Sequence, residues 1–179
     1  MKHPEVSIRR ATADDAAALA TLGAATFSDA FGYLYTPKDL QTFLSEHHSV
    51  EAWQALLADA CRATWVAALP DEALIGFVTV GACKLPVENL EPQAGEIQML
   101  YVRKEYQNLR LGRRLMDAGL AWLEEKQHDP LYIGVWSENF GAQRFYGRYG
   151  FRKFGEYGFR VGKAVDREFI LKRHKEGEA

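Results

Sequence analysis

The sequence predicts an α/β chain, a mixed sheet of about seven strands with flanking helices, folded as a single domain over residues 1–179 with its core at about 6–173. Three observations lead there. Segments of period two alternate with segments of period 3.6, the pattern of a sheet covered by helices. A strand, a helix and a second strand follow one another over residues 96–136, and such a crossover joins parallel neighbours. At 179 residues the chain is long enough for one substantial core, whereas two equal halves would each be poorly buried.

The elements follow in order. VSIRRAT alternates as an opening strand, and TADDAAALATLGAATF is an alanine-rich helix with acidic residues in its first turn. In TPKDLQTFLSEHH, Thr36 caps, Pro37 takes the first helical position and Asp39 sits in the first turn, so a second helix starts there. Ser49 caps a third, VEAWQALLADA. TWVAAL, the turn PDEA and LIGFVTVGACK read as a hairpin, LPVENLEPQAG as a loop, and EIQMLYV as a strand. The next helix opens in YQNLRLGRRLM and runs to about residue 127, with Leu111, Leu115, Ala118 and Trp122 on one stripe beside Met116 and Leu123. LYIGVW is a strand, and a short helix over about residues 140–149 ends at Gly150 as a left-handed cap. FRKFGEYGFRVG and AVDREFILKRH close the chain as paired strands before a charged tail expected to fray.

Composition removes several classes of function. Hydrophobic residues at 47% and charged residues at 26% are those of a soluble globular protein. Twenty-two Lys and Arg against twenty-four Asp and Glu leave a net charge of −2, so no nucleic-acid partner is expected and any anion site must be local. No stretch approaches the ~18 apolar residues of a membrane span. MKHPEVSIRRATADD lacks a signal peptide's apolar run, and a cytoplasmic protein without a membrane partner is the expectation. Cys61 and Cys83 have no neighbour at metal-ligand spacing and are expected as buried, inert thiols. His47 and His48 read as solvated residues at a helix end; no carboxylate pair completes a site, so no metal is expected.

YQNLRLGRRLM raises a question of charge. It brings Arg110, Arg113 and Arg114 to the end of a helix where the dipole is already positive, which costs a few tenths to ~1 kcal/mol per cation at low salt. Either the arginines point into solvent, or an anion such as phosphate sits among converging amides. The segment matches neither GxxxxGK[ST] nor GxGxxG.

With its neighbours the segment resembles a known family. EIQMLYV, RKEYQNLRLGRRLM, LYIGVW and SENFGAQRFYGRYGF together resemble the acetyl-CoA-binding core of the GNAT superfamily of N-acetyltransferases, sharply over residues 95–151 and loosely in the order of the other elements. The family's loop reads Gln or Arg, two residues, Gly, one residue, then Gly or Ala. Gln107, Arg110 and Gly112 stand at those places, with Arg110 in place of the usual glycine. A Cβ there costs nothing if residue 110 is right-handed helical and its side chain swings away. The resemblance implies the GNAT fold with splayed parallel central strands, and acetyl-CoA as cosubstrate. It implies that the diphosphate lies along Gln107, Asn108, Leu109, Arg110, Leu111, Gly112 and Arg113. It also implies that the backbone of Leu100, Tyr101 and Val102 takes the pantetheine arm like an added strand, and that Asn139, which suits a helix cap as well, contacts the cofactor.

An amine that attacks a thioester must lose a proton, because an alkylammonium with a pKa near ~10.4 has no lone pair at neutral pH. The oxyanion needs a donor, and the departing sulfur needs a proton. By resemblance a backbone N–H near Leu100 or Tyr101 meets the second need. Tyr146 meets the third as general acid, phenol at roughly 10 and thiol at roughly 8.5 lying close enough for transfer. Glu96 stands where some branches carry a base acting through water, and burial could raise its pKa. Without the resemblance, AQRFYGRY is an amphipathic helix with Phe145 and Tyr149 packed at i and i+4, and Glu96 is a solvated or ion-paired residue.

Phe27, Asp29, Phe31, Tyr33 and Tyr35, with Glu88, Glu91 and Glu96, suit a small cationic amine as acceptor. ATFSDAFGYLYTPKDLQTFL and residues 131–162 are similar to the bacterial polyamine (spermine/spermidine) acetyltransferase branch. Two alternatives stand beside that reading: acetylation of protein N-termini or lysines, and a sensor module that binds acetyl-CoA without turnover. The closing hairpin is a candidate surface for a homodimer.

Overall fold

A computed structural model describes residues 5–175; the charged tail from residue 176 onward lies outside them. The order is β1 (Ser7–Arg10), α1 (Ala16–Phe31), α2 (Pro37–His47), α3 (Val50–Ala58), β2 (Arg62–Ala68), β3 (Leu74–Ala82), β4 (Gly95–Val102), α4 (Leu111–Glu125), β5 (Leu131–Trp136), α5 (Phe140–Gly147), β6 (Phe151–Val161) and β7 (Ala164–Arg173). The local signals act as read. The Thr36 hydroxyl accepts from the Asp39 N–H at 3.2 Å, and that of Ser49 accepts from the Ala52 N–H at 3.1 Å. Gly150 closes the α5 turn at φ 86°.

The strands form one seven-stranded sheet in the order β1-β2-β3-β4-β5-β7-β6. Alternation along β2, β3 and β4 sends one set of side chains to each face. Val78, Val80 and Ile97 meet Leu115, Met116, Leu120 and Leu123 of α4, while Val66 and Phe77 meet Leu19, Leu22 and Trp53 of α1 and α3. With one apolar layer on each face, the sheet is held rigidly in register.

Two irregularities in the middle of this sheet create the cleft. β4 and β5 are its parallel neighbours, yet they pair only at Gly95↔Leu131 and Glu96↔Tyr132 and diverge beyond. On its other side, β4 changes register with β3 between Ile97 and Met99, a bulge at Gln98 that adds twist and re-aims the residues after it. From Ile97 to Val102 the edge of β4 that faces β5 therefore has no ladder partner.

Candidate active site

The gap between β4 and β5 opens into a cleft of about 1710 Å³, bounded at one end by the start of α4 and by α5, and at the other by α1, α2, β6 and β7. Leu100, Tyr101, Val102, Gln107, Asn108, Arg110, Leu111, Gly112, Arg113, Asn139, Tyr146 and Glu96 all line it. Leu109 does not; it packs on the α4 core.

At the α4 end, Arg110 is the residue before the helix and supplies no side-chain cap. The first backbone bond into the helix runs from the Arg114 N–H to the Arg110 carbonyl at 3.1 Å, which leaves the amides of residues 111–113 for another acceptor. A methyl group at Gly112 would meet no protein atom nearer than Phe145 at 3.8 Å, so packing does not require the glycine, and its bare backbone faces open space. Gln107 donates through Nε2 to the Val102 carbonyl at 3.2 Å, tying the loop back to the end of β4.

The arginines at this helix start behave in three different ways. Arg114 turns away and donates to the Val6 carbonyl at 2.9 Å, outside the cleft. Arg113 lies 3.8 Å from Asp117 one turn along, an exposed pair. Arg110 corrects an expectation: its φ is +58°, left-handed and not right-handed helical, and Asn108 is left-handed too at +73°. The chain must reverse sharply between β4 and α4, and this geometry costs a residue with a Cβ about 1 kcal/mol or more.

Two polar side chains come from α5. Asn139 caps it, its Oδ1 accepting from the Ala142 N–H at 3.1 Å. Tyr146 is 8% exposed, and among the described residues its hydroxyl has no hydrogen-bond partner. Burial pushes its phenol above the ordinary range. That widens the gap to a thiol, so full proton transfer to a leaving thiolate runs uphill, and donation of a hydrogen bond is the chemistry the position supports. Phe145 and Tyr149 pack on each other as expected, with ring centroids 5.4 Å apart.

On the opposite half, Glu96 is 8% exposed, neither solvated nor ion-paired. Its Oε2 accepts from the Lys84 N–H at 2.8 Å. Burial raises its pKa to about 7, against the opposing pull of that N–H and of the Arg62 and Lys84 charges. Phe27, Asp29, Phe31 and Tyr35 line the cleft as expected. Tyr33 does not, being 74% exposed, nor do Glu88 and Glu91. The loop that carries them packs over Tyr132 and Ile170, and Glu91 accepts from the Tyr132 hydroxyl at 3.3 Å.

Residues from the closing hairpin take their place. Tyr157 donates to Glu168 at 2.6 Å, Tyr35 donates to Asp166, and Phe159 and Trp136 complete an aromatic wall. A signal for these acids was present in AVDREFIL, where Asp166 and Glu168 alternate and so share one face of a strand.

Two further expectations are corrected. His48 is 7% exposed, packed among Phe27, Phe43 and Trp53, because the α2–α3 junction tucks it against α1. Gly23 makes that possible, since a methyl group there would lie 2.3 Å from Nδ1. Burial pulls the imidazole down to about 4, so it is neutral at pH 7. Cys61 is exposed and Cys83 half-buried, because both flank strand ends at the open side of the sheet. Among the described residues no group of three or more His, Cys, Asp or Glu is placed to hold a metal ion, and no helix is long and apolar enough to cross a membrane.

The family model described as the acetyltransferase (GNAT) family matches residues 27–151, which include both splayed strands and the start of α4 but not the closing hairpin. The chain belongs to the acetyltransferase (GNAT) family. This GNAT protein is thus an enzyme, an N-acetyltransferase with acetyl-CoA as cosubstrate. It is 27% identical over 148 residues to an uncharacterized N-acetyltransferase of Lactobacillus delbrueckii subsp. lactis, covering 83% of this chain and 85% of that one. It is 26% identical over 159 residues to an uncharacterized N-acetyltransferase of Mycobacterium tuberculosis, covering 89% and 97%. Among solved structures it is similar in fold to the PaiA N-acetyltransferase of Thermoplasma acidophilum in complex with coenzyme A, with a TM-score of 0.76, 18% identity, and 96% and 99% of the two chains covered. The open amides at residues 111–113 fit the diphosphate of such a coenzyme, and the unpaired β4 edge fits its amide-bearing arm.

Proposed function

We propose that the enzyme, acting as one domain, acetylates a primary amine of a small cationic molecule, with a polyamine as the first candidate. The observation that carries this is the lining of the acceptor half, where Glu96, Asp166 and Glu168 stand among Phe27, Phe31, Tyr35 and Trp136. Carboxylates with aromatic faces attract an ammonium group and disfavour an anionic acceptor.

The coenzyme supplies an activated acetyl thioester. The amides of residues 111–113 hold its diphosphate, Gln107, Asn108, Arg110 and Asn139 form the rim, and the free edge from Leu100 to Val102 aligns the arm and offers an N–H to the carbonyl oxygen. Glu96, with a pKa of about 7, takes a proton from the amine through water, and Tyr146 donates a hydrogen bond to the departing sulfur. Two unpaired cysteines suit a reducing compartment, so we place the enzyme in the cytoplasm.

The test is release of free thiol from acetyl-CoA across polyamines, amino acids, aminoglycosides and short peptides. Turnover strongest with polyamines supports the proposal. Turnover only with peptides or amino acids, or tight coenzyme binding without release, overturns it.

A further inference from the structure

Glu96 is not the only desolvated carboxylate in the cleft; Glu168 lines it too. Along the splayed strands, Glu96 stands opposite Tyr132, at the last rung where β4 and β5 still pair. The Cα of Glu168 stands opposite Trp136, but its carboxylate reaches back to the level of Gly134, two residues further along β5 and about 7 Å of strand deeper into the open gap. Counted the same way along β4, that level is reached at Gln98, two residues before Leu100, whose amide with that of Tyr101 is proposed to face the thioester. The Glu168 side chain leans over Gly134, where a Cβ would lie 3.2 Å from its Oε2 and 2.6 Å from the Tyr157 hydroxyl. Only a residue without a side chain leaves room there for the pair.

Glu168 is also built to be held in place. Tyr157 donates to Oε2 at 2.6 Å, fixing one carboxylate oxygen and leaving the other for a ligand. The groups that face it are Tyr157 of β6, Asp166 of its own strand, Glu96 and Tyr101 of β4, and Tyr35 before α2. None of these is a cation. Tyr101, Tyr146 and Glu168 all line the same cleft.

We propose that Glu168 binds the ammonium of the acceptor and determines specificity for cationic amines, with Tyr157 as its positioning residue and Gly134 as the space that admits both. The assignment rests on the cationic-amine reading above and adds the residue that would enforce it. Burial raises the Glu168 carboxyl while the Tyr157 hydrogen bond pulls it back down, so the binding form is lost as pH falls and is lost sooner without Tyr157.

The test is calorimetric titration of 1,4-diaminobutane into the coenzyme A-saturated enzyme, beside thiol-release kinetics on the same proteins. Glu168→Gln should weaken diamine binding, and raise its KM, by about tenfold or more, with coenzyme A affinity held within about twofold. Glu168→Asp should recover part of the loss. Tyr157→Phe should move the acidic limb of diamine binding to higher pH, a displacement that mere loosening of the fold would not cause, and this arm stands should Glu168→Gln fail to fold. Equal diamine binding by wild type and Glu168→Gln, an unmoved limb in Tyr157→Phe, or no diamine binding by the wild type overturns the assignment. Normal thiol release with an unchanged KM in Glu168→Gln would sink Glu168 alone and leave the cationic-amine reading standing. Diamine binding that depends on Glu168 without thiol release would sink diamine acetylation and leave the ammonium subsite.

Discussion

The half of the cleft proposed for the coenzyme is made mostly of main chain contiguous in sequence, from the end of β4 through the turn into α4, with Asn139 and Tyr146 added at α5, whereas the half proposed for the acceptor gathers side chains from α1, α2, β4, β5, β6 and β7. A backbone-built site needs only a bulge, a splay and a bare helix start, and tolerates many side chains. A side-chain-built site depends on which residue each distant element contributes. The first half should thus bind the same coenzyme in many relatives, while the second sets what is acetylated.

Four substitutions bear on this contrast. Tyr146→Phe should have the largest effect, lowering turnover by about 10²-fold or more with coenzyme A affinity unchanged by calorimetry; unchanged turnover would remove the phenol from the chemistry. Glu96→Gln should lower turnover by about tenfold and flatten the acidic limb of the rate profile, which in the wild type is centred near a pH of about 7. Its effect on stability has the opposite sign. The folded pKa of Glu96 is raised above the unfolded value, so the stability its neutral form contributes is complete in acid and lost as pH rises through about 7. Thermal melts should therefore show the wild type losing more stability than Glu96→Gln between pH 5 and pH 8.

A smaller effect belongs to Arg110→Gly. Relief of the left-handed backbone, about 1 kcal/mol, is offset by the extra unfolded-state freedom of glycine, so stability should shift by less than ~1 kcal/mol while coenzyme A affinity stays level or improves. A large loss of affinity would mean that the guanidinium itself grips phosphate and that the helix start does not bind by backbone alone. Least of all, Arg114→Ala should remove one hydrogen bond to Val6, cost ~1 kcal/mol or less in a denaturant melt, and leave coenzyme affinity untouched.

The same contrast explains what could be read in the sequence. The helix starts at Thr36 and Ser49, the crossover from β4 to β5 and the bare start of α4 are local and were legible, because capping, periodicity and turn chemistry act over a few residues. The left-handed Arg110 was not, since the sharp reversal after β4 is imposed by how α4 docks on the sheet. The closing hairpin that makes Tyr157 and Glu168 neighbours was legible as well, but their place in the cleft was not, since it depends on β7 pairing with the distant β5. The Glu88–Glu91 loop misled for the same reason: it is acidic, but Leu85, Val87 and Leu90 anchor it away from the cleft.

The central claim is that the amides of residues 111–113 and the free edge of β4 receive the coenzyme, and a crystal structure of the enzyme with coenzyme A tests it most directly. The account predicts diphosphate oxygens within hydrogen-bonding distance of those amides and the arm laid along Leu100 to Val102. A coenzyme bound elsewhere, with the start of α4 left bare, would contradict it.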